Sequence, residues 1–92
     1  MIRSFRHKGL KRLVENDDRS KLPADMIVRI RHILAVLDDA LTVDELATPS
    51  LRLHALKGEL KGFHAVTVHA NWRIIFRFEG QNAFDVDFVD YH

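Results

Sequence analysis

Arg73-Ile74-Ile75-Phe76-Arg77-Phe78, then Glu79-Gly80-Gln81, then Phe84-Asp85-Val86-Asp87-Phe88-Val89, is the stretch whose reading decides the fold. Apolar side chains recur there at every second position, the period of a β-strand with one face turned to a core. Ile74, Phe76 and Phe78 share one face, with Arg73, Ile75 and Arg77 on the other. If Phe84, Val86 and Phe88 lie on the same buried face, paired positions have equal parity and the connecting loop is odd in length. Glu79-Gly80-Gln81, with glycine at its centre, supplies such a loop. This register sets Arg73 opposite residues 87–89 and close to the closing Asp90-Tyr91-His92.

Working outward, the period of two extends upstream through residues 51–55 and 63–68, with Lys57-Gly58-Glu59-Leu60-Lys61-Gly62 as a turn. Before Pro49 the period changes. Met26, Ile30, Ile33, Leu34, Leu37 and Leu41 recur at steps of three and four, which predicts a helix with one buried face, and Pro23 suits its first turn. A shorter helix is expected over residues 7–15 with Leu10, Leu13 and Val14 as its apolar stripe, after a short strand at residues 2–5. The expected fold is α+β: two N-terminal helices packed on one face of a small, mainly antiparallel sheet. Residues 1–92 are read as a single domain, since ninety-two residues are enough for one modest core.

Composition narrows the chemistry. With no cysteine, the chain offers no disulfide, no thiolate nucleophile and no cysteine-ligated zinc site. Neither a signal-type apolar start nor a run of ~18 apolar residues is present, so a soluble cytoplasmic protein is expected. The formal net charge is only +1, yet nine of the fourteen Lys and Arg fall within the first 31 residues, from Arg3 to Arg31. Net charge therefore understates a basic N-terminal third. Lys8, Lys11 and Arg12 recur on one side of the first helix, a spacing suited to docking on RNA or simply to a solvated face.

The predicted register gathers His69, Arg73, Asp90, Tyr91 and His92 at one end of the sheet, with His54 one strand further over. Guanidinium, ammonium (Lys57), imidazole and carboxylate groups together suit phosphodiester cleavage. The cations offset charge developing on phosphorus, while an imidazole or carboxylate moves protons. RNA brings its own nucleophile in the 2′-hydroxyl, so neither metal nor cofactor is called for. Trp72 and Tyr91 offer faces on which unpaired bases stack. The same residues also fit a plainer reading. In it Trp72 is a lid on the core, Arg77 pairs with Asp85 or Asp87 across strands, and the polar tail caps an edge strand. A non-enzymatic interaction module stays open on that basis.

Four segments carry a resemblance that spans the chain. Met1-Ile2-Arg3-Ser4-Phe5-Arg6-His7-Lys8-Gly9-Leu10, Leu53-His54-Ala55-Leu56-Lys57-Gly58, Ala70-Asn71-Trp72-Arg73-Ile74 and Asp90-Tyr91-His92 together resemble the HigB toxins of the RelE/ParE superfamily. The resemblance implies a RelE-like fold and a ribosome-dependent endoribonuclease. Such an enzyme cuts messenger RNA in the A site of the 70S ribosome by 2′-hydroxyl attack, without a metal. It implies His54, Asp90, Tyr91 and His92 as the catalytic set, with Lys57 and Arg73 as phosphate-contacting cations beside His69 and Trp72 as substrate-binding residues. Lys8, Lys11 and Arg12 would contact 16S ribosomal RNA. The implied partner is a HigA-type helix-turn-helix antitoxin, through which alone the toxin would meet operator DNA; no membrane is involved. The chain departs from the family at His69, where arginine is expected; histidine is shorter and a weaker cation. Within the superfamily the rival is a ParE-like toxin that inhibits gyrase by contact, for which a proton-transfer set is unnecessary.

Overall fold

In the computed structural model, which describes residues 1–91, helices α1 (Lys8–Asn16) and α2 (Ile27–Asp39) precede four strands. These are β1 (His54–Ala55), β2 (Phe63–His69), β3 (Trp72–Glu79) and β4 (Asn82–Asp90), which neighbour one another in chain order and pair antiparallel throughout. The fold is the expected α+β arrangement.

The helical stripe buries as its spacing requires. Met26, Ile30, Ile33, Leu34 and Leu37 enter one cluster with Val66, Ile74, Phe76, Val86 and Phe88 from the sheet. Each such side chain taken out of water contributes about 1.5 to 3 kcal/mol. Two members of the expected stripes stay outside: Val14 is 54% exposed and Leu41 58%. Leu41 lies beyond the helix, which ends when Ala40 turns to extended backbone. His7 caps α1 by accepting the Leu10 amide hydrogen on Nδ1 at 3.2 Å, and its ring meets Phe88 edge-on at 5.8 Å.

The hairpin between β3 and β4 corrects the predicted loop. Glu79 pairs with Asn82 and Phe78 with Ala83, so the turn has only two residues, Gly80 and Gln81, with Gly80 at φ +61°. Arg77 pairs with Phe84, but beyond it Ile75 pairs with Asp87 and Ile74 with Phe88. The odd residue sits within β4, as a bulge at Asp85 (φ +55°), instead of in the loop. Parity is accordingly right for Val86 and Phe88 and reversed for Phe84. Ala83 takes the helix-side position, and the Phe84 ring lies on the other face beneath Arg77, whose guanidinium carbon is 5.6 Å from the ring centre.

Two further segments form less strand than their alternation suggests. Residues 2–5 make only single parallel bridges to β4, Ile2 to Ala83 and Phe5 to Val86. Between them the Asp85 bulge interrupts the ladder. Leu51 still accepts the Thr67 amide hydrogen at 2.7 Å, but Arg52 turns left-handed (φ +50°) and regular pairing begins only at His54. Leu51 and Leu53 nevertheless pack with the helix-side core.

The second face of the sheet is partly covered by the connector between β1 and β2. Leu56, Phe63, Ala65 and Ile75 form a small cluster there, with Leu60 and Val89 against it. This face, opposite the helices, is where the candidate site lies.

Candidate functional site

Pairing arranges the second face in rows. His54, Ala65, Ile75 and Asp87 are successive register partners across all four strands. Side chains of directly paired residues share a face, and Ala65 and Ile75 both belong to the small second-face cluster. His54 is therefore on that face, exposed, with the short side chain of Ala65 beside it. Thr67, Arg73 and Val89 make the next row, and Phe63, Arg77 and Phe84 the row on the other side.

The His54 ring is oriented by its own loop: Nδ1 lies 3.0 Å from the Arg52 carbonyl oxygen. A carbonyl only accepts, so Nδ1 carries the hydrogen. In the neutral ring Nε2 is then the bare nitrogen. The left-handed turn at Arg52 is what brings that carbonyl back to the ring. A histidine in this tautomer can accept a proton at Nε2.

Arg73 is held at the end of the sheet, where its Nη1 donates to the carbonyls of Ala70 and Trp72 in the β2–β3 turn. Its Nε is buried without a hydrogen-bond partner among the described residues, and so is Oγ1 of its cross-strand neighbour Thr67. Ion pairs among the described residues engage Arg31 with Asp17, and Arg77 with both Glu79 and Asp85. Arg73 and Lys57 are in none of them, so both keep positive charge for a ligand. Lys57 is exposed and begins the short 3₁₀ turn Gly58–Leu60 within the connector. Arg77 donates from Nε to Asp85 Oδ2 at 2.9 Å, the cross-strand pairing expected of that arginine, and this hydrogen bond raises its pKa above the ordinary value.

Strand β4 runs to Asp90, and the described part of the tail is anchored. Trp72 pairs with Asp90, and the Tyr91 amide donates to the Asn71 carbonyl at 2.8 Å. His69, Arg73, Asp90 and Tyr91 thus meet at one end of the sheet, as the register predicted, with His69 exposed at the end of β2. His92 lies outside the described residues. Trp72 and its register partner Asp90 have the helix-side parity, opposite to Arg73 and Val89, and the Trp72 ring stacks on Phe88 at 4.6 Å, nearly parallel at 13°. One of its faces is thereby used by the core, as in the lid reading.

The three cations of α1 also separate. Lys8 and Arg12 line a recess with His7, Gly9 and Lys21, whereas Lys11 borders a groove of about 610 Å³ with Arg3, Arg31 and Asp38. Neither lies on the His54 face. Asp87, which the alternation offers only as a partner for an arginine, joins the His54 row. Its row with His54 depends on the bulge, and single-strand periodicity carries no signal of that. Among the described residues no group of three or more His, Asp or Glu side chains could hold a metal ion, and no helix is long and apolar enough to cross a membrane.

Comparison with known proteins gives likenesses of sequence and of fold. A family model described as the RelE-like toxin HigB of type II toxin-antitoxin systems matches residues 3–92. A curated protein of Proteus vulgaris, endoribonuclease HigB, is 44% identical over 92 residues and is covered, like this chain, over 100% of its length. Among solved structures, YafQ from Escherichia coli strain BL21(DE3) superposes with a TM-score of 0.64 at 13% identity, over 98% of this chain and 91% of that one. YoeB–YefM toxin-antitoxin complex from Staphylococcus aureus gives 0.62 at 17%, over 100% and 95%. These two likenesses establish the shared fold.

Proposed function

The chain belongs to the HigB-like toxins, the RelE-like toxins of type II toxin-antitoxin systems, and from that premise we propose that it is an endoribonuclease that cuts messenger RNA in the ribosomal A site. The observation that carries this reading is the His54 ring, tied at Nδ1 to the Arg52 carbonyl and exposed on a sheet face that also bears Arg73. Nε2 takes the proton from the ribose 2′-hydroxyl, whose oxygen attacks the adjoining phosphorus in line. The 5′-oxygen leaves, and a 2′,3′-cyclic phosphate remains. Arg73 and Lys57 offset the charge that accumulates on the phosphoryl oxygens. Asp90 and Tyr91, at the sheet end that also carries Arg73, complete the set together with His92, and a member of the tail returns a proton to the leaving oxygen. The reaction calls for no metal.

In the cell the protein acts in the cytoplasm and is neutralised by an antitoxin of the HigA helix-turn-helix type, and operator DNA is met only through that complex. The YoeB–YefM complex supports an antitoxin partner for a toxin of this fold. Lys8, Lys11 and Arg12 contact ribosomal RNA at two adjoining surfaces, and His69 adds a weaker cation at the sheet end.

The test incubates pure protein with messenger RNA, alone and on programmed 70S ribosomes, beside a folded variant lacking Tyr91 and His92. Cleavage that needs ribosomes and is lost on truncation supports the assignment. Intact message under both conditions, with gyrase inhibited instead, would replace it with the contact-inhibitor reading.

A further inference from the structure

Arg6 stands in the N-terminal segment, outside every residue group assigned above. Its position follows from alternation: Phe5 packs with the helix-side core and His7 lies edge-on to Phe88 of the same core, so Arg6 between them points to the opposite face. Its amide donates to the Val86 carbonyl at 2.8 Å, which fixes the backbone beside β4. The guanidinium carbon sits over the Phe63 ring, 5.3 Å from its centre. Phe63 belongs to the second-face cluster with Ala65 and Ile75, the residues that continue the His54 row. Arg6 thus crosses from the edge of the sheet onto the face that carries His54 and Arg73.

Arg6 and Arg77 share this end of the face but differ in charge state. Arg77 is neutralised by Asp85 and Glu79, while Arg6 is exposed and in no ion pair among the described residues. An aromatic ring beneath a guanidinium limits its motion without cancelling its charge. The row containing Phe63 lies two rows from that of Arg73, about 13 Å along the strands at ~3.3 Å per residue. A single RNA strand running along β3 past His54 meets one unpaired arginine at each end.

We propose that Arg6 is an RNA-positioning residue, binding a backbone phosphate of the messenger at the end of the cleavage face opposite Arg73. The inference rests on the nuclease reading above. Phosphate contacts set the register of a strand and leave the chemical step alone, so the effect belongs in KM.

The experiment measures cleavage kinetics on programmed 70S ribosomes for wild type, Arg6→Ala, Arg6→Met and Arg6→Lys, all verified as folded. Loss of a charge-assisted contact predicts KM raised about tenfold in Arg6→Ala with kcat within about twofold. Arg6→Met, which still covers Phe63, behaves like Arg6→Ala, and Arg6→Lys recovers most of the loss. Active wild type with KM unchanged in Arg6→Ala, or restored by Arg6→Met, overturns the proposal alone and makes Arg6 a cover for Phe63. An inactive wild type overturns the nuclease reading and this inference with it.

Discussion

The Asp85 amide donates to the Ser4 hydroxyl oxygen at 2.8 Å, so a residue at the start of the chain holds the bulge that sets the register of the last strand. Arg77 secures the same residue from the other side through Asp85 Oδ2 at 2.9 Å. Ser4→Ala leaves the Asp85 amide unpaired in a half-buried site and should cost about 1 kcal/mol. Urea unfolding checks this, with the midpoint lower and the slope unchanged.

His54 is exposed and its ring bonds, among the described residues, only to the nearby Arg52 carbonyl, so its replacement should affect activity far more than folding. His54→Ala is expected to lower ribosome-dependent cleavage by about a hundredfold or more, the usual size of a general-base contribution. A matching thermal melt must accompany the assay. Cleavage retained within threefold removes His54 from the mechanism.

Trp72 stacks on Phe88 and is half-buried, so its variants should separate packing from substrate binding. Trp72→Phe keeps an aromatic partner for Phe88 and is expected to cut within a fewfold of wild type. Trp72→Ala loses the stack, worth about 0.5 to 1.5 kcal/mol beyond buried area, and should melt earlier. A folded, fully stable Trp72→Phe protein with cleavage reduced a hundredfold would instead assign the indole to RNA.

Gly9 is buried on α1, where an added Cβ would meet the His7 ring at 2.8 Å and Lys21 Cβ at 2.9 Å. Alanine ordinarily gains about 1 kcal/mol over glycine inside a helix. The contacts here reverse that sign, because His7 must stay close to cap Leu10. Gly9→Ala should therefore lower the melting temperature, and a raised one would show that the 7–21 contact yields without cost.

Glu45 accepts the amide hydrogens of Leu41 and Thr42 at 2.7 and 2.8 Å, which holds its carboxyl below its ordinary value of 4.5. A carboxylate whose pKa is depressed on folding stabilises the fold above its unfolded value. That stabilisation is lost as pH falls through the folded one. Wild type should lose stability as pH drops below about 4.5, and Glu45→Gln should flatten part of that slope while lowering the melting temperature near neutrality. Parallel wild-type and variant melting curves across pH 3 to 6 would contradict the linkage.

Local periodicity determined the helix containing Ile30, Ile33, Leu34 and Leu37, the strands around Phe76 and Phe88, and the meeting of Arg73 with the tail. Each depends on a repeat of 3.6 or 2 that a core imposes directly on neighbouring residues. Periodicity also gathered Asp90 and Tyr91 at the end of the sheet with His54 one strand over, but their catalytic roles, and that of Lys57 as a phosphate contact, came only from the likeness of four short segments to a family. Only the tertiary structure decided that a bulge at Asp85 sets the parity, that Trp72 turns to the core, and that Arg6 and Asp87 share the face of His54. Those outcomes rest on contacts between Ser4 and Asp85, Arg6 and Phe63, and His54 and Ala65, whose partners lie far apart in the chain or in strands whose pairing no single segment encodes.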